Sequence, residues 1–219
     1  MARPLRGQRS GYAYHVLNRG NGGTVVFHTD GDYQAFLHLL ITAKTKFPVH
    51  VLGFCLMPNH FHLVLQPGAD QALSAFMHWW QTSHARRYHL HYGGHGHLWQ
   101  GRYKSFPIQQ DAHLLTVLRY VLRNPMRAGL VQRSADWPWS SHAHPAVIDP
   151  WPVDVPPTWN DWVDTPQFDH ELTQLRTCVT RQAPFGAPAW QEQTAKALGL
   201  DSTLRPPGRP RKHRTENGA

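Results

Sequence analysis

Two apolar segments joined by a Pro-Asn turn constrain the fold of this chain more than any other feature. Residues 49–57 are mostly apolar, and from His60 to Gln66 apolar side chains recur at alternating positions. Alternation with a period of two is typical of a β-strand that buries one face. With Pro58 and Asn59 between them, the two segments predict a β-hairpin.

The second strand of this hairpin carries two histidines, His60 and His62, separated by one residue. Alternate side chains of a strand project to the same face, so the two Cα atoms lie about 7 Å apart with both rings on one side. Such a pair can bind a divalent ion or a phosphate. The simpler alternative is two partly exposed polar residues, and the chain repeats the spacing at His89/His91, His95/His97 and His142/His144. Only His60/His62 lies on a predicted strand.

The order of predicted elements is β-α-β-β-α-β-α. Besides the hairpin, the pattern predicts strands at 11–19 and 103–109, and helices over 30–46, 70–92 and 111–123. The first six elements match the split βαβ arrangement of ferredoxin-like and RRM-like folds. We therefore expect an α+β domain whose antiparallel sheet has helices on one face and leaves the other face free for a ligand.

The composition changes along the chain and indicates five regions. We expect a basic arm at 1–10, the α+β domain at 11–142 and a Pro-rich linker at 143–168. A small helical extension follows at 169–203, and a disordered basic tail at 204–219.

The overall charge indicates a polyanionic partner. The 219 residues carry a formal net charge of +8, which favours nucleic acid as the partner. Two cysteines give neither a disulfide framework nor a zinc cluster. The sequence has no apolar run long enough for a membrane span and no apolar leader, so we expect a cytoplasmic protein.

The helix predicted over 111–123 carries a tyrosine away from its apolar stripe. At about 100° per residue, one face collects Leu114, Leu115, Leu118, Val121 and Leu122. Tyr120 falls about 200° from the centre of that stripe, on the side of His113 and Asn124. The simplest interpretation of a tyrosine in a Leu/Val helix is core packing, and the wheel argues against it. A solvent-exposed tyrosine is one alternative. The other is a nucleophile, which attacks a phosphodiester effectively only if a cation neutralises the phosphate.

Several ordered motifs resemble one known family. They are Tyr14-His15-Val16, Met57-Pro58-Asn59-His60-Phe61-His62, Leu98-Trp99-Gln100-Gly101-Arg102, Arg119-Tyr120-Val121 and Asn124-Pro125-Met126-Arg127. Together they resemble the single-tyrosine HUH transposases, and among these the REP-associated tyrosine transposases of bacteria. The resemblance covers about residues 10–142.

The resemblance implies a site and a reaction. It implies His60 and His62 as ligands of Mg²⁺ or Mn²⁺, Asn124 as a third ligand, and Tyr120 as the nucleophile. The product would be a 5′-phosphotyrosine link and a free 3′-OH on single-stranded DNA with a hairpin, of the kind formed by repeated extragenic palindromes. Relatives act as monomers or as homodimers, and both remain open here.

Basic residues near these motifs are candidates for phosphate contacts. They are Arg86, Arg87, Arg102, Lys104, Arg119, Arg123 and Arg127 in the domain, with Arg209, Arg211 and Lys212 in the tail. Gly208-Arg209-Pro210 also resembles the core of AT-hook peptides, which place an arginine in a narrow minor groove. A tail that acts only through its charge is the alternative.

Two other functions fit parts of the sequence. A non-catalytic nucleic-acid-binding module on an RRM-like sheet would need exposed aromatic residues on its central strands. A zinc hydrolase would need a carboxylate close to the histidine pair, and the strand motif contains none. The leading interpretation is a metal-dependent DNA endonuclease and strand transferase.

Overall fold

A four-stranded antiparallel sheet forms the centre of the computed structural model, which describes residues 8–205. The strands are β1 (Ala13–Arg19), β2 (Val49–Met57), β3 (His60–Pro67) and β4 (Lys104–Ile108). Their order across the sheet is β2-β3-β1-β4, as in ferredoxin-like folds, which confirms the predicted α+β class and the hairpin.

The helices follow in chain order, with short 3-10 turns between some of them. They are α1 (Asp30–Lys46), α2 (Ala72–Tyr92), α3 (Ala112–Leu122), α4 (Asn124–Arg127), α5 (Trp159–Asp164), α6 (Asp169–Arg181), α7 (Pro188–Leu198) and α8 (Asp201–Leu204). Across residues 8–205, no helix has both the length and the apolar character needed to cross a membrane. The tail residues Arg209, Arg211 and Lys212 lie outside the described residues, as do residues 1–7 of the arm.

Helices cover both faces of the sheet, not one. On one face α1 and α2 pack against Val16, Phe54 and Leu63. On the other, α3, α5 and α6 bury Val64 and Phe106. The physical reason lies in the strands: nearly every residue of β2 and β3 is buried, and strands that read as continuous apolar runs need cover on both sides. The sheet face expected to stay free for a ligand is therefore occupied by the tyrosine helix and the C-terminal helices.

The residues expected to form a linker, 143–168, pack against the domain instead. The indole nitrogen of Trp151 donates to the carbonyl of Leu52 (2.7 Å), and the Asp149 carboxylate accepts from the backbone N–H of Val51 (2.7 Å). Lys44 forms an ion pair with Asp149 at 2.8 Å. Prolines interrupt regular structure in this segment, but its tryptophans supply apolar surface that is buried.

Both edges of the sheet are covered by irregular chain. Trp139 and Ser141 make backbone hydrogen bonds to Leu56 and Phe54 on the β2 edge, at 2.8 and 3.0 Å. At the β4 edge, Phe185 exchanges backbone hydrogen bonds with Pro107 and Gln109, each 2.9 Å long. These contacts leave neither edge strand open for pairing with another chain.

A glycine in β2 sets how closely α3 approaches the sheet. Gly53 lies at an irregularity in the pairing of β2 with β3. A Cβ placed on Gly53 would lie 2.5 Å from Cδ2 of Leu118, which is fully buried in α3. Any side chain at this position therefore forces the Leu118 side chain, or α3 with it, to move.

We predict that Gly53→Ala lowers the free energy of unfolding by about 1–3 kcal/mol, because overpacking strains a close-packed core. Urea denaturation measures the change, and Gly31→Ala, at a position with ordinary contact distances in α1, is the control. Adding Leu118→Ala to Gly53→Ala should cost less than the sum of the two single changes. Strict additivity would contradict the proposed clash.

Candidate active site

The two histidines of β3 project from the sheet face that α3 covers. His60 lies opposite Arg19 and His62 lies opposite Leu17 in the β1–β3 register. Phe61 and Leu63 point the other way, into the core beneath α1 and α2. The ring centroids of His60 and His62 are 5.1 Å apart, so both rings face one small volume.

Asn59 determines which ring nitrogen of His60 is free. The Asn59 amide nitrogen donates to the carbonyl of Gly23 at 3.0 Å, which turns the amide oxygen toward His60. That oxygen lies 2.7 Å from Nδ1 of His60 and accepts its proton. Nε2 of His60 then keeps a lone pair, which is the arrangement that a metal-binding histidine needs.

His62 is paired with a third imidazole, that of His15. Nε2 of His15 lies 2.9 Å from Nδ1 of His62, and both rings are buried. Burial lowers the pKa of His15 to about 3 and that of His60 to about 4, while burial and the neighbouring histidines hold the pKa of His62 well below its usual value. All three rings are neutral at pH 7, and neutral imidazole is the form that binds metal ions.

Tyr120 lies directly against this histidine pair. Its ring centroid is 5.9 Å from that of His62 and 6.1 Å from that of His15, and both contacts are edge to face. Only 9% of the residue is exposed. The helical wheel argued against core packing of Tyr120, and this was wrong: Tyr120 belongs to the buried cluster of α3, with the rings of His15 and His62 among its neighbours. It is not a solvent-exposed tyrosine, because the C-terminal helices bury α3 on nearly every side.

Arg127 holds the other side of the tyrosine. Its guanidinium carbon lies 4.1 Å from the centroid of the Tyr120 ring. One of its nitrogens donates to the Tyr120 carbonyl at 2.6 Å, and another donates to the side-chain oxygen of Gln167 at 3.1 Å. Burial lowers the pKa of Arg127 to about 10, with the nearby Tyr120 opposing the shift. The group is therefore a cation at pH 7, fixed beside the ring.

Asn124 begins the turn after Tyr120. Its amide nitrogen donates to the carbonyls of Tyr120 and Val121 at 3.2 and 3.1 Å, which leaves its amide oxygen as the atom that can bind a cation. Among residues 8–205, no group of three or more His, Cys, Asp or Glu side chains is arranged to hold a metal ion. A divalent ion here would depend on two imidazoles and an amide oxygen, with phosphate and water oxygens completing its coordination.

Arg119 and Arg123 have a different environment from the one expected. Both are buried, and both donate to main-chain carbonyls at the C-terminal end of α5, from Val163 to Pro166. Arg119 also lies over the ring of Trp162, 4.5 Å from its centroid. The expectation that these two residues contact phosphates is therefore revised: they join the tyrosine helix to the C-terminal extension.

The remaining basic residues divide between the two faces of the domain. Lys104 is exposed and shares a row across the sheet with Leu17 and His62, and the exposed Arg19 lies opposite His60. Arg102 is exposed just before β4. Arg86 and Arg87 lie on α2, across the sheet from α3, and Arg87 is 3.5 Å from Asp32. Among the predicted residues that the structure describes, Lys104 shares a row of the sheet with His62, and Arg127 contacts the ring of Tyr120.

Three residues near the histidines were not among the candidates from sequence: His15, Asn59 and Arg19. His15 alternates with Ala13 and Leu17 along β1, so a polar residue stands in a strand that is otherwise apolar. This polar position indicates a role for His15 only once β1 is known to pair with β3, because the register then brings His15 beside His62.

We predict that Arg123→Met lowers the free energy of unfolding by about 1–3 kcal/mol, because the α5 carbonyls that it binds lose their partner. Hydrogen exchange of the amides in 159–166 should accelerate, while affinity for DNA changes little. Arg133→Met is the control, since Arg133 is largely exposed and pairs with Asp164 at the same helix at 3.7 Å. A large loss of DNA affinity with unchanged exchange would restore the phosphate-contact interpretation.

Comparison with known proteins identifies the class. The sequence profile described as "Transposase IS200 like" matches residues 8–124, over half of the chain. The chain belongs to this family of transposases. Members of the family generally use a divalent metal ion.

Two relatives and one solved structure are similar to this chain in particular ways. A REP-associated tyrosine transposase of Escherichia coli is 25% identical over 148 residues, which cover 67% of this chain and 85% of the relative. A Haemophilus influenzae protein with the same group name is 27% identical over 119 residues, or 49% of this chain and 67% of that protein. The solved structure of a REP-associated tyrosine transposase bound to a REP hairpin has a TM-score of 0.53 at 18% identity. It covers 77% of this chain and 92% of the other, and it shows the shared fold.

Proposed function

We propose that this protein is a metal-dependent endonuclease and strand transferase for single-stranded DNA, with Tyr120 as nucleophile. The observation that carries the proposal is the contact of the Tyr120 ring with the rings of His62 and His15. A tyrosine ring, neutral imidazoles and a half-buried guanidinium meet within one chain. Each of them has a use in phosphodiester cleavage.

His60, His62 and Asn124 would hold the divalent ion, either Mg²⁺ or Mn²⁺. Their donor atoms fit such an ion only in part, so metal binding depends on the DNA phosphate as a further ligand. When bound, the ion neutralises charge on the phosphate that is attacked.

The side chains of the chain itself supply the rest of the reaction. The phenolic oxygen of Tyr120 gives up its proton to water and forms a bond to phosphorus. The bond between phosphorus and the 3′ oxygen breaks, and that oxygen leaves as a 3′-OH after taking up a proton from water in turn. The 5′ phosphate stays on Tyr120, which conserves the bond energy for transfer to another 3′-OH. Arg127, fixed against the ring, keeps Tyr120 oriented toward the site and adds positive charge.

The DNA reaches this site past exposed basic residues beside the histidines. Arg19 and Lys104 flank the histidines on exposed positions of the same sheet face. The structural relative is bound to a REP hairpin, and we propose that this chain likewise acts on single strands carrying a palindromic hairpin. A non-catalytic module on an open sheet fits less well, because helices cover both sheet faces and the strand aromatics Tyr14 and Phe61 are buried.

We predict that Tyr120→Phe abolishes covalent adduct formation and changes the melting temperature little, because no hydrogen bond to the Tyr120 hydroxyl forms within the described chain. The substrate is a hairpin-bearing strand labelled at its 3′ end and incubated with Mn²⁺, and denaturing gels detect labelled protein. Tyr103→Phe, a change at another buried tyrosine, should retain the adduct. An adduct on Tyr120→Phe protein of the same yield would refute the assignment.

We predict that Lys104→Ala and Arg19→Ala each reduce the dependence of DNA affinity on salt. Each lost phosphate contact should lower the slope of log affinity against log salt concentration by about one. Lys46→Ala is the control, because Lys46 ends α1 on the opposite side of the sheet. Equal slopes for Lys104→Ala, Arg19→Ala and the parent protein would remove both residues from the DNA path.

A further inference from the structure

The pairing of His15 with His62 has a direction that decides whether His62 can bind a metal ion. Their ring planes differ by only 6°, and the bonded nitrogens, 2.9 Å apart, are much closer than the centroids, at 5.1 Å. The rings therefore meet edge to edge. In that arrangement the N–H of one ring points along the lone pair of the other, as a strong hydrogen bond requires.

Two tautomeric arrangements satisfy this bond. In the first, His62 donates from Nδ1 to Nε2 of His15, and Nε2 of His62 carries a lone pair. In the second, His15 donates from Nε2 and the remaining proton of His62 sits on its own Nε2. The second arrangement leaves His62 with no lone pair for a cation, because its other nitrogen already accepts from His15.

We propose that His15 is a positioning residue whose Nε2 accepts a hydrogen bond from the Nδ1–H of His62 and so presents Nε2 of His62 to the divalent ion. This inference rests on the proposed metal site. His15 would then do for His62 what the Asn59 oxygen does for His60, which is to accept a hydrogen bond from Nδ1. Metal-binding histidines commonly donate their second N–H to such an acceptor.

The burial of His15 supports a dedicated role. The residue is fully buried, and its Nδ1 has no hydrogen-bond partner among residues 8–205. A buried imidazole with one unsatisfied nitrogen costs free energy that an apolar side chain in β1 would avoid. Phe106, edge-on at 5.0 Å between centroids, and Tyr120 hold the ring in place without offering it a second partner.

Because the DNA phosphate is a further ligand of the ion, manganese titration in the presence of the hairpin-bearing single strand, followed by electron paramagnetic resonance of the free ion, tests the proposal on the full-length protein. His15→Leu removes the acceptor, and we expect it to weaken Mn²⁺ binding by about 10–100-fold, as loss of such outer partners does. His15→Gln keeps an acceptor near the position of Nε2, and we expect affinity close to that of the parent. The control is His84→Leu, which removes another buried imidazole with an unpartnered Nδ1 on the opposite face and should leave Mn²⁺ affinity unchanged.

The outcomes separate this inference from the metal site itself. Parent-like Mn²⁺ affinity in His15→Leu would overturn the role of His15, provided that His62→Ala abolishes binding. Equal losses in His15→Gln and His15→Leu would overturn it too, because shape and not the acceptor would then matter. If His62→Ala binds Mn²⁺ as the parent does, the metal site fails and the role of His15 fails with it. Melting curves identify any variant that has not folded. If His15→Leu does not fold, the Mn²⁺ affinity of His15→Gln decides the role of His15, and parent-like affinity supports it.

Discussion

The packing of the tyrosine helix across the sheet is the interaction on which the rest of the site depends. Tyr120 reaches the histidine pair because α3 lies close to β2, and that distance depends on the missing side chain at Gly53. On its far side α3 is joined to α5 through Arg119 and Arg123. A helix fixed on both sides places its side chains precisely enough for chemistry, which a helix at the surface would not.

Burying three imidazoles in this position has a cost and a benefit. Burial keeps His15, His60 and His62 uncharged at neutral pH, so no proton competes with a cation for their lone pairs. The same burial leaves Nδ1 of His15 without a hydrogen-bond partner among residues 8–205. Local arrangements that lower stability in this way commonly mark functional sites.

The sequence predicts the order of the elements, the hairpin and the histidine pair because all three follow from local patterns. Period-two alternation and the Pro58-Asn59 turn define the hairpin, and the spacing of His60 and His62 places both rings on one face. The burial of the sheet face beneath α3 by the C-terminal segment could not be predicted. It depends on tryptophans in a segment whose prolines resemble those of a linker. The burial of Arg119 and Arg123 was missed because their partners are backbone carbonyls about 40 residues away. Every residue has a backbone carbonyl, so the sequence does not show which ones will bind an arginine.

In this structure one chain brings its own tyrosine to its own histidines. Mixing two inactive proteins, His62→Ala and Tyr120→Phe, tests this most directly with the 3′-labelled hairpin substrate. Assembly within one chain predicts no labelled adduct at any ratio of the two, because neither protein has both an intact tyrosine and an intact histidine pair. Recovery of adduct in the mixture, increasing with protein concentration, would show that the tyrosine of one chain acts with the histidines of another. That result would contradict a site formed within one chain.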